Sequence, residues 1–434
     1  MTSAQHDFKV QAIQDAVLKQ RAFAMGFFDD LAAVSTDPDG GITRDTYGPG
    51  ENQGHAIMAR HARASGFDLS VDPAGNSYAQ WAGLDRSRRV IMGSHLDSVP
   101  RGGNFDGAAG PVAGLVAMRA LQSLGVTPRI DLCAMGIRAE ESVWFQTSYI
   151  GSRAALGTLP AQTYDQAHRI DTGRTLAEHM TDCGCDVAAL RSGYRAIDPG
   201  SVDAYIELHI EQAPSLVEEA KQLGICTGIP GNFRYPDVHI VGRHDHVGTP
   251  RRFRHDAAMA GAQLAMTMDQ LWAENEARHI PMAMTFGRFH TDPAFHGLTT
   301  VPGLFHFSLD VRAYDEATLA ATETEFLRMV AEVEQARGVT IDLGERKSAP
   351  VGLVNTALRQ GLAGVAAALG VPHMDLGSPA SHDAAAFAAA GVPMAMLFIR
   401  NEHGSHNPAE AMEIGDFLAG CAVLAGYLYE TCCA

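Results

Sequence analysis

The sequence has no run of about 20 apolar residues, the length a helix needs to cross a bilayer, so no membrane span is expected. Met1 to Phe27 lack a basic stretch followed by an apolar core, so no secretory leader is expected there either. That segment reads instead as a polar, then amphipathic helix, with Ile13, Val17, Phe23 and Phe27 loosely periodic. Cysteine is sparse. The seven residues Cys133, Cys183, Cys185, Cys226, Cys421, Cys432 and Cys433 are odd in number and contain no Cys-x-x-Cys pair. That argues against a disulfide framework and for reduced thiols in a cytoplasm. Cys183-Gly-Cys185 could bind a metal, but no second pair stands nearby to complete four ligands. Basic residues are also short, 33 against 50 acidic, for a net charge of −17. This argues against nucleic acid or an anionic membrane as partner. It does not choose a small substrate, because a basic pocket can sit in an acidic protein. There is no repeat of solenoid period and no low-complexity tract.

What is present is an ordinary globular composition, 46 % hydrophobic with 7 % aromatics, over 434 residues. Two or three domains are the expectation at about 150 residues each. The stretch from Val90 to Leu121 organises the rest. Val90 to Met92 is a short apolar run suited to a buried strand, and Pro100, Gly102 and Gly103 break it. Ala108 to Leu121 suits a helix packed on a sheet. His95 then lies just past a strand end and Asp106 just before a helix, which is where α/β proteins bind ligands and ions.

Asp37-Pro-Asp-Gly-Gly41 and Tyr47-Gly-Pro-Gly50 are turn chemistry flanking Ile42-Thr43-Arg44. Gly54 to Ser65 is a helix candidate. Phe67 to Val71 and Ser77 to Trp81 read as a strand pair. Ile130 to Ile137, Ala204 to Leu208 and Met394 to Ile399 are further apolar strands. Each ends in groups that can bind a metal or handle a proton: Glu140-Glu141, His209-Ile-Glu-Gln212, and a loop carrying His406. In a mostly parallel sheet such ends converge on one edge. Between Gly231 and about Lys347 the pattern changes to β-α-β-β-α-β. The fold expected is α/β: a parallel-sheet catalytic domain over 1–230 and 348–434, with a two-layer unit inserted at 231–347.

His95, Asp106, Glu141, His209 and His406 are imidazole and carboxylate, the ligand types that zinc and similar cations accept. Two cations about 3.5–4 Å apart, sharing a carboxylate, need about this set. One site could take His95 and His209, the other Glu141 and His406, with Asp106 bridging. Asp97 is placed to hold the His95 imidazole from behind. Glu140 does not ligate, so it can take a proton from a water held at the cations. Zinc fits, as do manganese, cobalt and nickel.

Gly93-Ser-His-Leu-Asp97, Gly102-Gly-Asn-Phe-Asp-Gly107, Glu140-Glu141, His209-Ile-Glu-Gln212 and Ser405-His-Asn-Pro-Ala-Glu410 together resemble the hydantoinase/carbamoylase branch of the dinuclear metallo-amidohydrolases. That branch holds N-carbamoyl-L-amino acid hydrolases, allantoate amidohydrolase and β-ureidopropionase. The resemblance runs from about Gly40 to the C-terminus. It implies Glu140 as general base, a lid and dimerisation role for the inserted unit, and a homodimer. It implies that His246 stabilises the oxyanion, often across a subunit boundary. It further implies that Gln212 contacts the ureido or amide group and that Arg312 clamps a small substrate's carboxylate.

Four positions depart from the branch's pattern. Thr299 stands where Asn is usual, and a hydroxyl is shorter with one donor. Ser142-Val-Trp-Phe145 replaces the usual Gly-Ser-Arg-Phe. Arg251, Arg252 and Arg254 occupy a shortened segment after His246. Pro379-Ala-Ser381 replaces Gly-Ala-Gly before His382-Asp383. All four are expected to affect substrate fit and none the metal set. The expected activity is therefore a metal-dependent amidohydrolase acting on an N-carbamoyl amino acid or related ureido acid. The alternative is an N-acyl amino acid or small amide-conjugate hydrolase on the same centre. The intact ligand set with Glu140 argues against a non-catalytic binding relative.

Overall fold

The computed structural model describes residues 3–433, and Met1 and Thr2 of the expected N-terminal helix lie outside that range. The chain divides into two compact units, one of residues 1–228 with 353–434, the other Ile229–Gly352. The inserted unit is thus slightly wider than 231–347. Ile229 bridges Gly352, and the short strand Lys347–Ala349 pairs with Asn232 to Arg234, so both flanks belong to its sheet.

The larger unit is built on an eight-stranded sheet. Its middle is four adjacent parallel strands: Ile130–Ile137, Asp85–His95, Val202–Ile210 and Met394–Ile399. These are the four apolar runs read from the sequence, and their neighbour pairings put all four C-terminal ends on one edge. His95 is level with Ile137, and His209 with Phe398. The sheet's antiparallel outer strands include Asp68–Val71 with Ser77–Trp81, on one flank. Leu223–Cys226 and His373–Leu376 close the other flank. These last two were not anticipated, because four residues are too few for a period to show.

Helix Ala109–Ser123 packs beneath the sheet with the C-terminal helix Ile414–Cys432, and both enter one continuous core. The N-terminal segment is two helices, Ser3–Leu18 and Arg21–Ser35, rather than the single helix expected. Ile13 and Val17 on the first, and Phe27 and Leu31 on the second, all bury in that core. The break at Lys19-Gln20 lets both stripes face it.

In the inserted unit, Gly231–Val241, Leu304–Ala313 and Met282–Thr291 pair antiparallel, with Thr340–Asp342 on the outer side of the first. Strand Leu304–Ala313 alternates strictly between buried and half-exposed residues, as a sheet covered on one face requires. Phe305, Phe307, Leu309 and Val311 meet the helices Ala257–Ala277 and Glu316–Arg337 in a second core. Asp256 and Asp315 cap those helices through Met259 N–H and Thr318 N–H. The other face of the sheet carries polar side chains. All seven cysteines are free, and no described helix is long and apolar enough to cross a membrane.

Candidate metal centre

Asp106 is the hub. Its Oδ1 lies 3.1 Å from His209 Nε2 and 3.6 Å from His95 Nε2, and its Oδ2 lies 3.2 Å from His406 Nε2. His406 Nε2 is in turn 3.4 Å from Glu141 Oε1. One carboxylate oxygen therefore faces each half of the ligand set: His95 and His209 on one side, His406 and Glu141 on the other. Glu140 sits with His95 and Glu141 in a cluster whose ligand atoms lie within 4.8 Å of one another.

The imidazoles are oriented as ligands. His95 Nδ1–H donates to Asp97 O (3.0 Å), and His209 Nδ1–H donates to Ile210 O (2.9 Å). Each Nε2 lone pair is thereby turned toward Asp106, and a second contact that fixes the tautomer is what metal-bound histidines use. Gly107 N–H points at His209 Nε2 as an acceptor, at 3.2 Å. Asp106 Oδ1 is buried and lacks a well-directed hydrogen bond. Asp106, Glu140 and Glu141 are all buried within this one cluster. Burial and the neighbouring charge of Asp106 raise Glu141 from its ordinary 4.5 to about 7. Burial also pushes Glu140 well above its ordinary value. At His95 burial opposes the charged ring, but Asp97, Glu140 and Asp106 outweigh it and hold its pKa well up. Such a surplus of buried negative charge with an orphaned oxygen fits divalent cations of the borderline kind.

Residues 91–430 match the model of peptidase family M20/M25/M40.

The chain belongs to that family.

It falls on the hydantoinase/carbamoylase branch. It is 34 % identical over 408 residues to the N-carbamoyl-L-amino acid amidohydrolase of Geobacillus stearothermophilus, covering 93 % of this chain and 95 % of that one. It is 30 % identical over 407 residues to the allantoate amidohydrolase of Escherichia coli, covering 92 % and 95 %. The crystal structure of a hydantoinase/carbamoylase family amidase from Burkholderia ambifaria superposes with a TM-score of 0.80 at 31 % identity, over 94 % of this chain and 97 % of the other. This M20 protein is accordingly an amidohydrolase.

The loops that carry the ligands are tied together from below. Asp97 Oδ1 lies 3.3 Å from His95 Nδ1 and accepts Glu140 N–H (3.1 Å). Its Oδ2 accepts Glu141 N–H (3.2 Å) and Thr46 Oγ1–H (2.5 Å). One carboxylate thus aligns a ligand, the Glu pair and an anchoring segment. Ala139 precedes that pair at φ 58, a left-handed conformation that costs a non-glycine residue and marks functional turns. Its N–H is held by the buried Glu51, at 2.8 Å. Gly107 also has a left-handed φ, 68, and a Cβ there would fall 2.4 Å from the His95 ring. Gln212 donates to Asp106 Oδ2 at 2.9 Å, which places it inside the cage. Ser381 is half-buried beside His382.

Several residues of this centre escaped the sequence reading. Arg44, expected only as part of a turn-flanked stretch, is fully buried. It donates to Leu96 O (2.7 Å), Asn104 Oδ1 (3.3 Å) and Asp106 O (3.3 Å), and so staples the His95 strand end to the Asp106 loop. Glu410 accepts Phe105 N–H and Asp106 N–H, at 2.9 and 3.2 Å, and contacts Ser405 Oγ at 2.8 Å. It closes the Ser405–Glu410 motif but had been given no role. His382 is buried with Nε2 unpartnered, its ring 4.4 Å from that of His209. Glu207 accepts Ser94 Oγ–H and Ala384 N–H behind His209. A lone Arg, Glu or His carries no periodic signal, so only the pairing of distant segments reveals them.

Trp144 is buried in a separate apolar cluster, donates Nε1–H to Ser98 O (2.9 Å) and carries the Arg169 guanidinium 4.6 Å over its ring. Its bulk serves the loop's packing. In the inserted unit, His246 is exposed in a two-residue strand opposite Thr300, and its Nδ1 accepts Gly248 N–H at 3.1 Å. That leaves Nε2–H as its donor. Thr299 is exposed and accepts Val247 N–H through its backbone carbonyl. Arg312 stands half-exposed on the open sheet face, paired to Asp310 at 3.1 Å.

Proposed function

We propose that this protein is a metal-dependent amidohydrolase that cleaves a linear C–N bond of an N-carbamoyl amino acid or related ureido acid. The observation that carries the reading is the division of Asp106, one oxygen toward His95 and His209, the other toward His406. His95, His209 and Asp106 would hold one divalent cation, and Asp106, Glu141 and His406 the other. Zinc is the first choice, with manganese, cobalt or nickel as alternatives. Such ions supply Lewis acidity, polarising a carbonyl and acidifying water.

The chain's own groups do the rest. Glu140 takes a proton from the attacking water at a carboxylate oxygen and returns it to the departing nitrogen. Asp97 keeps the Glu140 backbone and the His95 ring in register for that transfer. His246 Nε2–H donates to the developing oxyanion, within its own subunit or across a homodimer. Arg312 clamps the substrate carboxylate and Gln212 contacts the ureido group, with Thr299 and Ser381 as further substrate-binding residues. We further propose that the inserted unit is lid and dimerisation element, and that the enzyme works in the cytoplasm with its thiols reduced. The names of the Geobacillus and Escherichia relatives support the ureido substrate.

The test is a panel of N-carbamoyl and N-acetyl amino acids assayed for ammonia and free amino acid after loading with each metal. Ammonia from the carbamoyl compounds is the expected result. Turnover of the N-acetyl compounds alone would transfer the assignment to the N-acyl alternative.

A further inference from the structure

Asn232 is a buried polar residue that the reaction above does not use. It is the second residue of strand Gly231–Val241 and stands opposite Arg312 in the register. Directly opposed residues project from the same face of a sheet. Val311 and Phe233, next to them in sequence, turn into the core, so Asn232 and Arg312 share the polar face. Asn232 is 6 % exposed, and its Oδ1 has no hydrogen-bond partner. A buried acceptor left unpaired is disfavoured, and an unpaired one beside a binding group calls for a ligand donor.

The cation next to it is prepared for an anion. Arg312 presents Nε and Nη2 to Asp310, at 3.1 and 3.4 Å. One edge of the guanidinium fork is thereby fixed, and its other edge is the one a carboxylate can meet bidentately. Arg234 Nε lies 2.6 Å from the same Asp310. Two guanidiniums on one carboxylate leave a net positive charge, so Asp310 orients Arg312 without cancelling its attraction for an anion. An acceptor and an anion clamp therefore stand on neighbouring strands, with side chains about 5 Å apart at their bases.

We infer that Asn232 is a specificity residue whose Oδ1 accepts the N–H borne by the substrate's α-carbon while Arg312 takes the carboxylate on that same carbon. The inference rests on the carboxylate role proposed for Arg312. It narrows the substrate to α-ureido acids, because a donor and a carboxylate on one carbon match two adjacent side chains.

The experiment pairs N-carbamoylglycine with carbamoyloxyacetate, in which oxygen replaces the N–H. In the metal-loaded wild type the oxygen analogue, read as a competitive inhibitor, binds about tenfold more weakly than the ureido acid, the usual size of one lost hydrogen bond in a site built for it. Asn232→Ala raises KM for the ureido acid about tenfold and leaves the Ki of the analogue unchanged. Equal wild-type binding of the two, or equal weakening of both by the variant, overturns the inference. Should Asn232→Ala fail to fold, by circular dichroism, the wild-type comparison decides alone. Arg312→Leu keeps the two readings apart. It weakens both ligands together if the clamp is right, and if it weakens neither, the Arg312 assignment falls first.

Discussion

At the C-terminal edge of the parallel sheet, Asp97, Asp106, Glu140 and His209 are buried, whereas on the open face of the inserted sheet Arg234, His239, Asp310 and Arg312 remain half-exposed. In the first group Asp106, Glu140 and Glu141 crowd together, with imidazoles and the buried Arg44 as the nearby positive groups. The second carries a net positive charge, two arginines on one aspartate. Water screens the exposed set. The buried set lacks that screening: burial pushes Glu140 and Glu141 upward, while against burial the contacts with His209 and His406 hold Asp106 well below its usual range. The two sheets thus differ in how their charges are screened.

The contrast predicts a hierarchy of effects. Glu140→Gln is the severest test: kcat falls by about 10²–10⁴-fold, the usual worth of a general base, while metal content by atomic spectroscopy stays that of the wild type. Full activity in that variant would remove Glu140 from the chemistry. Gly107→Ala comes next, because its Cβ meets the His95 ring at 2.4 Å and its φ of 68 disfavours a side chain. Metal affinity, titrated against a chromophoric chelator, weakens about 10–100-fold, as when other groups that orient a ligand are disturbed.

The smallest effect is on the stability of chelated protein. Burial raises Glu141 from 4.5 to about 7, and the Asp106 contact raises His406 from 6.5 to about 9. A group whose folded pKa lies above its unfolded value stabilises the fold at low pH and loses that contribution as pH climbs through the folded value. The Tm of chelated protein therefore falls between about pH 4.5 and 9, and cations, by replacing those protons, flatten the profile. A Tm that rises over that range in the absence of metal contradicts the charge balance described here. Substitutions at Asn232 and Arg312 probe the exposed sheet in the same way, through KM with metal content unchanged.

The strands that build the buried edge could be read because their residues are apolar without interruption. Ile130–Ile137 and Met394–Ile399 coincide with the expected runs, and His95 and His209 follow from where such runs stop. The helices of the inserted unit were legible from the change of pattern between Gly231 and about Lys347. Short flanking strands such as Leu223–Cys226 were not, nor was the turn at Lys19-Gln20 that makes two helices of one. Arg44, Glu51 and His382 were invisible for a different reason. Each is a polar residue whose burial depends on segments far away in sequence, Arg44 on Leu96 and Asp106, Glu51 on Arg138 and Ala139.

Local chemistry, then, sufficed to single out the candidate ligands and the candidate base. His95 ends its strand and His209 stands one residue from the end of its own, while Asp106, Glu141 and His406 lie in loops beyond strand ends, and all are residue types that bind cations. Spatial assembly was needed to split them across the two oxygens of Asp106, to turn each imidazole by its backbone hydrogen bond, and to set Asn232 beside Arg312. Those relations are distances between groups brought together by sheet register and loop packing, and no interval along the polypeptide encodes them.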